Sequence, residues 1–320
     1  MTKPYQPIDA SKLTTFSIGR RRHKVALDAM AKLPPPGVSV GEWLDSLPSV
    51  LGAAEFRAVV DAVVAARQAD RPVVFAMGAH VVKVGCGPIV VDLIRRGVVT
   101  AVVGNGATAI HDVELACTGQ TSEDVADALH DGRFGMVQET ADFFAEAAAR
   151  GARDSVGLGA AAGQLLFEQD PPHIDVSILA AAHQARIPAT VHVAVGTDTV
   201  HMHPQVDGAM LGQASMTDFR LICSVVADLG ATGPGGAGGV WCNIGSAVLL
   251  PEVFLKTVAV ARNLGADLDA MVTANFDMLG QYRARQNVVH RPPQPGKGHE
   301  IIGQHEILLP LLRQAIIERT

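Results

Sequence analysis

VVFAMGAHVVKVGCGPIVVDLIRRGVVTAVVGNGATAIHDVELAC, residues 73–117, decides the fold. Val73–Met77 is a short apolar run that stops at Gly78. Residues 86–97 carry the apolar spacing of a helix. Val98–Val103 is a second run, stopping at Gly104-Asn105-Gly106, and a helical pattern follows over 109–117. A short apolar strand, a glycine turn and a helix, repeated, marks βαβ units. Such strands are parallel and covered by helices on both faces.

The alternation continues along the chain. A third strand is predicted at 188–195, a fourth at Val240–Ile244 and a fifth at Ala270–Thr273. Helical spacing falls around 122–130, 136–150, 156–167, 175–185, 208–229 and 250–264. Upstream, Val40–Ala69 is helical in spacing. Residues 1–40 form an arm ending at Pro34-Pro35-Pro36-Gly37, with a helical pattern only around Arg22–Lys32. Thr232–Gly239 and 287–300 are glycine- and proline-rich loops, and a helix closes the chain over Gly303–Thr320. No internal repeat appears. The expected organisation is an arm, 1–40, and a single α/β nucleotide-binding domain, 41–320, built as a doubly wound parallel sheet.

With 48% hydrophobic residues but only 4% aromatic, the core must be packed from Ala, Val, Leu and Ile. The charged fraction, 18%, is low, which predicts that part of the surface is buried again in a homo-oligomer, a dimer or tetramer. A formal charge of −6 gives no electrostatic basis for a nucleic-acid or anionic-membrane partner. The four cysteines form no CxxC and read as buried free thiols. There is neither the apolar core of a signal peptide nor a long uncharged apolar span, so a cytoplasmic protein is expected.

The chemistry gathers at the strand ends. The first strand runs into Gly78-Ala79-His80, the second into Gly104-Asn105-Gly106 and the third into Gly196-Thr197-Asp198. The fourth runs into Asn243-Ile244-Gly245-Ser246 and the fifth into Thr273-Ala274-Asn275-Phe276-Asp277. Glycine lets backbone N–H groups approach a phosphate, and the helices that follow aim their positive ends at the same edge. A carboxylate such as Asp198 or Asp277 suits a ribose diol. Neither GxGxxG nor a Walker A motif is present, so this dinucleotide reading rests on position.

Around these turns stand the candidate reacting groups. His201 and His203 follow the Thr197-Asp198 turn, and His192 ends the strand before it. They suit acid–base work or substrate hydroxyls near neutral pH, with structural hydrogen bonding and a His-x-His metal pair as the alternatives. His111 lies near a helix start with Asp112, a first-turn carboxylate by this reading. His80 faces the first turn. Glu252 opens a helix as a cap or a substrate contact. Lys297, in a Pro-Gly-Lys-Gly loop, is either a solvated lysine or an activated amine.

Four stretches carry a family resemblance: residues 73–117 above, DVSILAAAHQARIPATVHVAVGTDTVHM (175–202), FRLICSVVADL (219–229) and ARNLGADLDAMVTANFD (261–277). In order and spacing they resemble the deoxyhypusine synthases, distantly, over about residues 70–280. The resemblance implies a six-stranded Rossmann-like sheet, NAD as cofactor, and tetramers with active sites at dimer interfaces. In that family spermidine is oxidised and an aminobutyl group is passed through an imine on a lysine. It places Asn105, Gly106, Thr197, Asp198, Asn275 and Asp277 on the cofactor side, with Gly78 in the first turn. The amine side departs. Asn243-Ile244-Gly245-Ser246 stands where the family has a triple-glycine strand end, and only Gly296-Lys297 remains of its Trp-Gly-Lys. The expectation is therefore an NAD-dependent transferase or oxidoreductase on a small polar metabolite, and not a true deoxyhypusine synthase. On this reading His111, His201, His203 and Lys297 are catalytic, His80, His192 and Glu252 contact substrate, and no metal is bound. A hydrolase or lyase using the histidines, or a nucleotide-binding regulator without turnover, are the alternatives.

Overall fold

The computed structural model describes residues 4–320. Its centre is one six-stranded sheet with strand order β3-β2-β1-β4-β5-β6, every pair parallel. The strands are β1 (Val73–Met77), β2 (Ala101–Asn105), β3 (Ala189–His192), β4 (Val240–Ile244), β5 (Val272–Asp277) and β6 (Gly298–Ile302). Strands β1 and β4 are buried along their whole length, which is why β1 reads as an unbroken apolar run and β4 as one interrupted only by Asn243.

The helices, in chain order, are α1 (Val40–Ser46), α2 (Leu51–Gln68), α3 (His80–Lys83), α4 (Gly87–Arg95), α5 (Gly106–Thr118), α6 (Val125–His130), α7 (Gln138–Asp154) and α8 (Leu158–Gln169). They continue as α9 (Ile178–Ala185), α10 (Gly208–Asp228), α11 (Leu249–Asn263), α12 (Tyr282–Ala284) and α13 (His305–Ile317). Alternate residues of β1, β2 and β4 feed two cores. Phe75, Met77, Cys242 and Phe276 pack with residues of α2, α4, α5, α9 and α13 on one face. Val74, Ala76, Val103 and Trp241 pack with the second half of α10 and with α11 on the other. The doubly wound parallel sheet expected from the sequence is thus the observed fold. Among the described residues no helix is long and apolar enough to cross a membrane.

Several expectations are corrected. The 287–300 segment is not a loop throughout: it contains most of a π-helical turn, Arg285–His290, and the start of β6. β6 is an edge strand whose sequence, GHEII, has only two apolar residues, and its polar ones are held by partners. His299 Nδ1 lies 2.6 Å from Glu55 Oε2, and Glu300 is gripped by Arg285. The helical pattern at Arg22–Lys32 yields only a 3-10 turn at Leu27–Ala29, because nothing packs against its apolar side. The 40–69 region breaks into α1 and α2 around Pro48, whose ring forbids a continuous helix. β3 stops at His192, short of Val195, while β5 begins at Val272 and runs on to Asp277.

Candidate functional site

Strand order sets where a site can form. The chain leaves β1 toward α4 on one face and leaves β4 toward α11 on the other. β1 and β4 are neighbours, so the switch point, outside whose carboxyl ends open α/β sheets bind ligands, lies between them. Two glycines shape it. The Gly78 N–H donates to the Ile244 carbonyl (2.9 Å), extending the ladder, and a Cβ on Gly78 would stand 2.1 Å from the Gly245 carbonyl oxygen. No other residue fits Gly78, because the obstacle is backbone.

Beside this switch point, at the end of β2, the Asn105 side chain caps α5 by accepting the Thr108 N–H at 2.8 Å. Gly106 then opens the helix. A Cβ there would lie 2.0 Å from Asp198 Oδ2, so glycine is what allows the Asp198 carboxylate onto the start of α5. Asp198 accepts the Ala107 N–H, yet burial raises its pKa above the usual carboxylate range and outweighs the opposing pull of His201. His201 is oriented by backbone: its Nδ1 accepts the N–H groups of Gly196 (3.1 Å) and Asp198 (3.3 Å). The neutral ring therefore carries its proton on Nε2, which stands 3.7 Å from Asp198 Oδ2. Both of these atoms are buried and make no hydrogen bond.

A second group sits at the ends of β4 and β5. Asn243 Nδ2 donates to the Ser246 carbonyl (2.9 Å) and to Asn275 Oδ1 (2.7 Å). A carbonyl only accepts, so the Ser246 contact fixes the Asn243 amide and, through it, that of Asn275. Asn243 Oδ1 and Asn275 Nδ2 are left buried without partners. His305, the first residue of α13 and fully buried, has Nε2 3.2 Å from the Phe276 carbonyl, so the proton is on Nε2 and Nδ1 is unpaired. Its ring meets that of His80 edge-on, centroids 5.5 Å apart. Asp277, buried at the end of β5, accepts the Leu279 N–H at 3.4 Å. The sequence names Asn243 in a strand-end turn but gives it no role, and His305 escapes it because it follows the strand that reads as loop.

His111 lies two turns into α5. Its Nδ1 is 2.6 Å from Thr121 Oγ1, and Thr121 donates to Glu114 Oε2 at 2.5 Å. Burial opposes ionisation of Glu114, but the His111 ring 3.7 Å away and the bonds from Thr121 and Thr140 together hold its pKa below the ordinary value. Thr121 has one proton, and it goes to Glu114. Thr121 therefore accepts from His111 Nδ1–H, which leaves His111 Nε2 with a lone pair. Ala107, His111 and Glu114 share one stripe of the helix, and helical side chains tilt toward the N-terminus, here toward Asp198.

The remaining candidates are placed apart or are engaged. His203 Nε2 is 2.9 Å from the Gly135 carbonyl. His192 is buried beside Thr190, and burial lowers its pKa to about 4, so it is neutral near pH 7. Thr197 Oγ1 donates to the Ala194 carbonyl (2.7 Å). Glu252 is neutralised by Lys256, Arg283 and the Asn287 amide. Lys297 immediately precedes β6, at the opposite, amino edge of the sheet, where its Nζ donates to the Asp269 carbonyl (2.9 Å). The structure does not bring it together with the other candidates. Asp112 also departs from its expected place. It is mid-helix in α5 and holds the start of α9 through Ser177 Oγ and the N–H groups of Ile178 and Leu179. Among the described residues no group of three or more His, Cys, Asp or Glu side chains is placed to hold a metal ion.

Two enclosures lie elsewhere and bear on where a ligand fits. One, of about 20 Å³, is lined by Met77, Gly104 and Thr108 among others, with room for about one water molecule. The other, about 180 Å³, opens by His183, Arg186 and Ala189 at the amino end of β3. Of the nine buried side-chain polar atoms without a partner among the described residues, five lie at the carboxyl edge instead: Asp198 Oδ2 and His201 Nε2 near α5, and Asn243 Oδ1, Asn275 Nδ2 and His305 Nδ1 at β4 and β5; the other four, on Arg71, Arg150, Asp218 and Trp241, lie away from it. Such groups suit hydroxyl and amide functions.

No protein-family model matches the chain, and no curated protein matches it in sequence. Solved structures do share its architecture. A conserved putative LOR/SDH protein from Methanococcus maripaludis S2 superimposes with a TM-score of 0.51 over 93% of this chain and 75% of that one, at 13% identity. The ternary complex of AgrE with ornithine and NAD+ gives 0.51 over 85% of this chain and 34% of that one, at 15% identity. ArgZ, an arginine dihydrolase from the ornithine-ammonia cycle in cyanobacteria, gives 0.50 over 83% and 32%, also at 15% identity. The chain thus spans about a third of the length of AgrE and ArgZ. At these identities the likeness is one of fold, the Rossmann-like parallel sheet that the deoxyhypusine synthase resemblance implied.

Proposed function

We propose that this chain is an NAD-dependent enzyme that removes hydride from a C–OH or C–NH carbon of a small polar metabolite. The observation that carries the reading is the row of buried, unpaired polar atoms along the carboxyl edge of the sheet, flanking the β1/β4 switch point. Unpaired buried polar groups are costly, on the order of 1–3 kcal/mol each, and a ligand that pairs them recovers that cost. Asp198, held over Gly106 beside Asn105 and Thr197, takes a ribose hydroxyl. Asn243 Oδ1 and Asn275 Nδ2 offer an acceptor and a donor to a carboxamide, and Asp277 closes the same side.

When bound, the nicotinamide ring supplies the hydride acceptor. The chain supplies the proton chemistry. Oxidation of a C–OH or C–NH group releases one proton from oxygen or nitrogen, and His111 Nε2, whose ring is oriented by the Thr121–Glu114 pair, accepts it. His201, with Nε2–H next to the Asp198 carboxylate, orients the substrate heteroatom by donating to it. His80 and the ring of His305 stand beside the switch point. Lys297 takes no part, and Lys297→Ala is expected to leave turnover intact.

Thermal denaturation with NAD, NADP, ADP-ribose and divalent metals tests the reading. A ligand selective for the folded state at a hundred times its dissociation constant stabilises by about 2.7 kcal/mol. NAD or ADP-ribose is expected to raise the melting temperature, and Asp198→Asn to reduce that rise. Stabilisation by metal alone, with none by any dinucleotide, would overturn it in favour of the histidine-based hydrolase.

A further inference from the structure

The stretch least explained by the fold is the N-terminal arm. Every described residue from Pro4 to Asp28 is exposed. Every hydrogen bond these residues make, among the described residues, stays within the arm. Anchorage begins only where the Ser49 N–H donates to the Ala29 carbonyl and the Lys32 N–H to the Ser46 carbonyl. The arm is nonetheless apolar. Tyr5, Ile8, Leu13, Phe16, Ile18 and Leu27 are among the large hydrophobic residues it exposes, with Phe16 and Ile18 each 69% accessible and Leu27 87%. Nine of the thirty residues from Pro4 to Leu33 are of this kind. Segments that stay unfolded are poor in such residues, and exposed apolar surface on this scale marks an interaction site.

We infer that the arm is an exchange arm, laid by one copy of this chain onto the body of a second copy. Charge selects the occupant. From Pro4 to Leu33 there are six basic and two acidic residues, Arg20, Arg21 and Arg22 at the centre. From Pro34 onward there are nineteen basic and thirty acidic. A basic, apolar strand-like arm therefore fits the acidic surface of this same chain. That body repels the anionic surfaces, nucleic acid or membrane, that the arm alone would attract. The arm's helical content is three turns of three residues each, so it has no amphipathic helix to lie in a bilayer interface. The area is also sufficient. Nine side chains at roughly 60–120 Å² apiece reach the ~800 Å² per partner of a stable interface. A two-fold pair exchanging arms buries that area twice.

The inference does not depend on the proposed activity. Its test is light scattering coupled to size-exclusion chromatography on the full chain and on Leu13→Glu, Phe16→Glu and Ile18→Glu combined. All three sites are exposed, so circular dichroism of the variant should match the parent. The parent is expected to run as a dimer or a multiple of it, and the variant as a monomer at tens of micromolar. Cross-linking of mixed heavy- and light-isotope protein is expected to join arm lysines Lys12 and Lys24 to body carboxylates in pairs of unlike label. A monomeric parent, an unchanged mass in a variant that keeps its fold, or cross-links only between like labels would overturn it. The last result would mean that the arm folds back on its own body. A monomeric parent that pellets with phosphatidylserine vesicles would assign the arm to membranes instead.

Discussion

Asp218 shows how far a single buried carboxylate can organise its surroundings. It projects from α10 and accepts the N–H groups of Gly159 and Val191, each at 2.9 Å, fastening the start of α8 to β3. Gly157 must be glycine, since a Cβ there would lie 2.0 Å from Asp218 Oδ1. Burial pushes the pKa up from the ordinary carboxylate value to about 7, against the backbone N–H groups that favour the charged form. A carboxyl raised on folding stays protonated in the native state while it ionises in the unfolded one. Its contribution is complete below about pH 4, falls by ~1.4 kcal/mol per unit as pH rises, and is gone above about pH 7. Asp218→Asn removes that titration. Urea unfolding at pH 5 and pH 7.5 should show the wild type losing about 2–3 kcal/mol more than the variant over that interval; parallel losses would contradict the assignment. Neither Asp218 nor the true role of Asp112 was legible in the sequence. Each carboxylate serves a segment more than twenty-five residues away, and single-residue patterns carry no such pairing.

At the scale of elements, β1, β2 and β4 were readable because burial leaves them few polar residues. α5 was read as starting at 109, three residues late. Its true start depends on side chains, not periodicity: Asn105 caps it, and Gly106 admits Asp198 from the loop after β3. Two substitutions probe this. Asn105→Ala should cost about 1 kcal/mol, the usual worth of such a cap, measured by chemical denaturation. Gly106→Ala should cost more, because Asp198 must leave the helix start, and should also weaken dinucleotide binding. A Gly106→Ala protein with unchanged stability and unchanged binding would mean that the Asp198 contact is incidental. β5 reads as stopping at Thr273 because Asn275 and Asp277 in its carboxyl half are polar, and β6 is missed because only Ile301 and Ile302 of its five residues are apolar. The carboxyl half of β5, which the apolar pattern missed, is part of the candidate site.

Taken as a whole, the molecule places its turns by strand order. The order β3-β2-β1-β4-β5-β6 brings Gly78 against Gly245 and ranges Asn105, Asp198, Asn243, Asn275 and Asp277 along one edge. The sequence supplied most of these names because strand ends followed by glycine are recognisable. It misplaced Lys297, since nothing local tells which edge of a sheet a loop lies on. Gly78→Ala probes the junction: its Cβ would stand 2.1 Å from a backbone oxygen, and a loss of about 1–3 kcal/mol is expected from the forced shift.

The most direct measurement is isothermal titration calorimetry of NAD into the full chain, with Asp198→Asn in parallel. The account predicts saturable one-to-one binding per chain by the parent and at least tenfold weaker binding by the variant, equivalent to about 1.4 kcal/mol or more. No heat of binding from the folded parent at millimolar NAD, or equal affinity in the two proteins, would contradict it.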